Sequence, residues 1–76
     1  MMRVDVVYFA ALRERRGCRR ESIQVQVGMT LGQLYADLFP TDRIPVAYAL
    51  NAAYVSADTV AQDGDEVCFL PPLGGG

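Results

Sequence analysis

Seventy-six residues suffice for one small domain and exclude a large hydrophobic core. Apolar residues make up 51% of the chain, so dense packing, a crosslink, a metal or a partner has to supply what size does not. There is no histidine and there are only two cysteines, Cys18 and Cys68, so a zinc site lacks its usual ligands, and no run is apolar for the length of a membrane. With no leader pattern either, the expected setting is the cytoplasm, where a Cys18–Cys68 disulfide is unforced. Charge is uneven. Residues 1–20 hold six arginines against Asp5 and Glu14, a balance of +4, whereas residues 21–76 hold Arg43 against seven acids, a balance of −6. A nucleic-acid binder is expected to carry a net basic face with interleaved aromatics, and five arginines between 13 and 20 could make such a patch. They read more simply as a solvated loop on an acidic domain, with no nucleic acid partner and no membrane. The chain contains no lysine, so none of its side chains offers an amine for acylation.

Residues 2–10 alternate. Met2, Val4, Val6 and Tyr8 form one apolar set that should face the core, opposite Arg3, Asp5, Val7 and Phe9. Ala11 to Gly17 predicts a turn or two of helix stopped by Gly17. Glu21 to Val27 alternates again, with Ile23, Val25 and Val27 inward and Ser22, Gln24 and Gln26 outward. The two runs read as an antiparallel pair. The main helix opens at Thr30, an N-cap with Gln33 three residues on, which makes a capping box. Met29 and Leu34 stand at the positions of a hydrophobic staple. Leu31, Leu34, Tyr35 and Leu38 make one apolar stripe, and Phe39-Pro40 closes the helix. Val46 to Asn51 reads as a third strand and Tyr54-Val55 as a short one after a turn at Asn51-Ala52-Ala53. Asp63-Gly64 is a strong turn signal before the last strand, Asp65 to Leu70.

In that last strand Val67 and Phe69 oppose Glu66, Cys68 and Leu70. Pro71 and Pro72 cannot donate to a sheet ladder and set an extended φ, so they end the strand and aim the chain outward. Gly74, Gly75 and Gly76 add no core surface. The four residues after Pro72 reach about 13 Å when extended. The order strand, strand, helix, strand, short strand, strand predicts an α+β domain with one main helix on one face of a mixed sheet of four to five strands. If the first and last strands are neighbours, Phe9 and Leu70 meet on the uncovered face where the tail leaves, an apolar patch that suits a partner. The alternatives are that loops cover these residues, or that Tyr54 packs into the core.

The chain resembles the ubiquitin-like sulfur carriers of β-grasp fold, and within them the small subunits of molybdopterin synthase. The resemblance spans nearly the whole length. It is carried by Tyr8-Phe9-Ala10-Ala11-Leu12-Arg13-Glu14, by Asn51-Ala52-Ala53-Tyr54-Val55, and by the run from Asp63-Gly64-Asp65-Glu66 through Pro71-Pro72 into the glycines. The proline pair favours the molybdopterin carriers over the thiamine carrier. The resemblance implies a ubiquitin-like domain over residues 1–72 and a flexible tail over 73–76. It implies that an activating enzyme adenylates the Gly76 carboxylate with ATP, that a sulfur donor system converts it to a thiocarboxylate, and that the sulfur goes to a cyclic pterin phosphate held by a large subunit. The catalytic pocket is expected on that large subunit, in a heterotetramer; no cofactor or metal is expected on this chain. Gly76 is then the reacting residue and Gly74 and Gly75 the passage. Phe9, Arg13, Tyr54, Leu70, Pro71, Pro72 and Leu73 form the partner interface. Gly74 departs from the small side chain that relatives often carry there. Other readings share the same tail: a carrier for thiamine or tRNA thiolation, or a modifier that joins Gly76 to lysines of target proteins. A plain interaction module would use the sheet face alone.

Overall fold

The computed structural model describes residues 1–42 and 44–72. Leu73, Gly74, Gly75 and Gly76 therefore lie outside the described residues, and with them the predicted tail. The elements in order are β1 (Met2–Tyr8), α1 (Ala10–Arg16), β2 (Arg20–Val25), α2 (Leu31–Leu38), β3 (Ala47–Leu50), β4 (Ala53–Val55) and β5 (Glu66–Leu70). The strands form one mixed sheet in the order β2-β1-β5-β3-β4. β1 and β2 are antiparallel, as expected, while β1 and β5 run parallel through Asp5↔Glu66, Val7↔Cys68 and Tyr8↔Phe69.

The inner sheet face carries the expected alternation. Met2, Val4, Val6, Tyr8, Val67 and Phe69 are buried beneath α2, which contributes Leu31, Leu34 and Tyr35, with Phe39 just beyond its end. Edge-to-face aromatic contacts tie the layers together: Tyr35 to Phe69 at 5.2 Å, Tyr48 to Phe69 at 5.8 Å and Tyr8 to Phe39 at 5.8 Å between ring centroids. The capping box forms as predicted. Gln33 N donates to Thr30 Oγ1 at 3.1 Å, and Thr30 N donates to Gln33 Oε1 at 2.9 Å. The next two free amides of the helix are also satisfied, because Leu31 N and Gly32 N donate to the carbonyls of Thr59 and Ala57. That close approach explains a glycine inside a helix: a Cβ on Gly32 would sit 3.3 Å from the Ala57 Cβ.

Two expectations need correction and one alternative is removed. Val27 is 77% exposed rather than inward. The strand stops at Val25 because the chain turns at Gly28, φ 93°, with Met29 N donating to the Gln26 carbonyl. The arginine-rich segment is not a loop, since Arg13, Arg15 and Arg16 lie on α1, which ends at Gly17 in the left-handed region. Tyr54 does not pack into the core; it is 79% exposed.

Candidate docking face at the end of the sheet

Residues paired across neighbouring strands point to the same side of a sheet. The register therefore writes out the face that α2 leaves uncovered. One row runs across all five strands as Arg20, Val7, Cys68, Ala49 and Tyr54. The next row toward the chain's exit holds Leu70 and Ala47. Phe9 lies one residue past the last β1 pairing, still extended at φ −126° and ψ 150°, so it continues the alternation onto this same face beside Leu70. It is 41% exposed. Immediately after it the backbone turns sharply into α1 through Ala10 at φ 50°, a left-handed conformation costing a non-glycine residue about 1–2 kcal/mol. That bend holds Phe9 at the rim of the sheet rather than letting it follow the helix.

Because β1 and β5 are parallel, their C-terminal ends lie at one end of the sheet. Phe9, Arg13 on α1, Leu70, half-buried Pro71 and exposed Pro72 are thus brought to the end from which residues 73–76 continue. Arg13 stands one helical turn beyond Phe9, exposed and without an acidic partner among the described residues. The conditional reading that Phe9 and Leu70 meet on the uncovered face agrees with the register, which adds Tyr54 to that face. The alternation of β5 already put Cys68 on the face of Leu70; Ala49, which completes the row, was not anticipated, because its place depends on the β3–β5 register.

The opposite half of the face is ionic. Arg20 Nη2 stands 2.8 Å from Glu66 Oε2 and 3.6 Å from Asp5 Oδ2. Other arginines of the 13–20 segment are also engaged, Arg15 with Asp42 at 2.6 Å and Arg16 with both oxygens of Glu21 at 2.9 and 3.0 Å. The Arg16 guanidinium holds the Glu21 carboxyl below its ordinary range. Burial, with the Glu21 carboxylate nearby, holds the Tyr8 phenol well above its usual value, and its hydroxyl has no hydrogen-bond partner among the described residues. Both cysteines are free thiols. Desolvation pushes both up, helped by Glu21 at Cys18 and by Glu66 at Cys68, so neither is poised as a thiolate near neutral pH.

Two surface depressions, about 320 and 390 Å³, lie at the β2 edge on the helix side, away from the tail mount. Asp37 is the one ionisable side chain that lines them. No cluster of metal-binding side chains occurs, and no helix is long and apolar enough to cross a membrane, among the described residues. What the described residues do offer is an uncovered face that carries Phe9, Val7, Cys68, Leu70 and Tyr54, next to the point where the chain leaves β5.

Comparison with known proteins agrees with that geometry. Residues 6–76 match the ThiS family. A molybdopterin synthase sulfur carrier subunit of Mycobacterium tuberculosis is 39% identical over 85 aligned positions that cover the whole of both chains. The solved complex of subunits 1 and 2 of the molybdopterin-converting factor of Helicobacter pylori contains a chain 27% identical, with a TM-score of 0.64, covering 99% of this chain and 100% of that one. Small archaeal modifier protein 1 of Haloferax volcanii superposes with a TM-score of 0.83 over 96% of this chain and 100% of that one. At 20% identity its likeness shows the fold alone. The chain therefore belongs to the ThiS family of ubiquitin-like β-grasp proteins and, within it, to the molybdopterin synthase sulfur carrier subunits.

Proposed function

We propose that the chain carries sulfur on its last residue and delivers it inside a partner. The observation that carries this reading is the register: it sets Phe9, Leu70 and Tyr54 on one uncovered face, with Phe9 and Leu70 beside the proline mount of a glycine tail. A carboxylate is a poor acyl donor until it is activated. An adenylating enzyme joins the Gly76 carboxylate to the AMP moiety of ATP with release of pyrophosphate. A sulfur donor then displaces AMP and leaves a thiocarboxylate. ATP thus belongs to the activating partner, not to this chain. In the complex with the large synthase subunit, a heterotetramer of two copies of each, the tail presents that sulfur to cyclic pyranopterin monophosphate, and two successive carriers complete the dithiolene. The expected setting of this reaction is the cytoplasm.

The residues fit this task. Leu73, Gly74 and Gly75 span from the mount to the reacting carboxyl, and Gly74 and Gly75 let backbone approach backbone in a narrow channel. Pro71 and Pro72 limit the conformations lost when the tail is captured. Phe9, Tyr54 and Leu70 supply the apolar contact and Arg13 a cation at its margin. The test is mass spectrometry of the protein after incubation with its activating enzyme, ATP and a sulfur source. Exchange of one oxygen for sulfur at Gly76 is the expected result. Isopeptide adducts on lysines of other proteins would establish a modifier instead, and an unchanged Gly76 would overturn both.

A further inference from the structure

The ionic group on the uncovered face has no part in the scheme above, yet it borders the apolar row directly. Arg20 is the first member of that row, and Asp5 and Glu66 stand two residues before Val7 and Cys68 on the same side of their strands. One guanidinium thus faces two carboxylates and leaves one negative charge over. The pairing is also unequal, 2.8 Å to Glu66 and 3.6 Å to Asp5, with the side chains of Arg20, Asp5 and Glu66 55%, 48% and 38% exposed. In the free chain water solvates the surplus. A partner that covers Val7, Cys68 and Tyr54 removes that water from the neighbouring group, and a charge stripped of water without a counter-ion opposes binding. Asp63, just before β5, adds a further carboxylate, accepting from Arg3 N at 2.9 Å, and Arg3, whose Nη1 donates to Ser22 Oγ at 3.4 Å, is the other cation of this half of the face.

From this geometry we infer that the protein partner docking on this face brings a cationic side chain, lysine or arginine, to the Asp5–Arg20–Glu66 group, set next to its own apolar contact surface. The inference rests on the docking reading above and names the chemistry of the partner surface. The group acts as an electrostatic key. A partner that is apolar but lacks the cation is disfavoured, and one carrying a carboxylate there is repelled.

Association of the full-length chain with the large synthase subunit of the same organism tests this, by stopped-flow at low and high ionic strength. Asp5→Asn removes the surplus charge and should slow association about threefold at low salt; Arg20→Gln enlarges it and should speed association about threefold. Both should converge on the wild-type rate near 0.5 M salt, where the screening length falls to a few Å. Asp58→Asn changes the net charge as Asp5→Asn does, but lies on the helix-side loop whose carbonyls cap α2, and should alter the rate far less. Slower association of Arg20→Gln would mean that the partner presents an anion and would overturn the inference. Equal effects of Asp5→Asn and Asp58→Asn would reduce it to net charge, and unchanged rates in all variants would also refute it. Failure of the wild-type chain to form a complex would instead strike the docking reading.

Discussion

Replacing Tyr54 by alanine separates a residue kept for a partner from one kept for the fold. Tyr54 lies on the three-residue edge strand β4, opposite Ala49, and is 79% exposed. An aromatic side chain of this size carries about 200 Å². Burying the exposed four-fifths against a partner removes about 160 Å² from water, worth at most about 4 kcal/mol at 25 cal/mol per Å². Ordering of the ring and imperfect contact reduce that, so about 2 kcal/mol is expected, a roughly 30-fold weaker Kd. Folding stability should change by less than about 1 kcal/mol, since little of the ring is covered in the free chain. The assay is isothermal titration against the large synthase subunit, paired with thermal unfolding of each free variant. A Kd within threefold of wild type would remove Tyr54 from the docking face. A stability loss above about 2 kcal/mol would show that the ring supports the fold instead.

Two further outcomes concern the scaffold. The β3–β4 hairpin turns through Asn51 and Ala52 at φ 49° and 71°, a two-residue turn that suits Asn-Gly better than Asn-Ala. Ala52→Gly should therefore stabilise the protein by about 1 kcal/mol in urea unfolding, and a destabilised variant would contradict the strain argument. Below neutral pH, Asp65 should be a source of acid sensitivity. Hydrogen bonds from Asn51 Nδ2 at 2.9 Å and Gln62 N at 2.8 Å hold its carboxyl below the usual range. A folded-state pKa lower than the unfolded one gives stability that is complete above the unfolded value, about 4, and is lost as pH falls through the folded value. Unfolding midpoints should thus fall between about pH 5 and pH 3, and the fall should be shallower in Asp65→Asn. Parallel curves for the two proteins would rule Asp65 out as the cause.

The parts legible in the sequence share a local origin. Met2, Val4, Val6 and Tyr8 are buried because alternate residues of a strand share a face, and that period survives any arrangement of neighbours. Thr30 and Gln33 close a box within one helical turn, and Gly17 stops α1 by adopting a conformation other residues avoid. Val27 misled for the same reason. It extends the alternation of Ile23 and Val25, but strand length is set by where the chain has to turn back, at Gly28, and not by period.

By itself the sequence determined the inner face of β1 and β5, the capped helix that covers it, and the end of the last strand before Pro71 and Pro72. Each of these follows from stereochemistry within a few residues. Only the tertiary structure decided that β1 and β5 lie side by side and parallel, that Phe9 therefore stands beside Leu70 at the tail mount, and that Arg20 reaches Asp5 and Glu66 across three strands. Periodicity states which residues of one strand point the same way. It carries no information on strand order or register, which depend on how sheet and helix pack between residues distant in the chain.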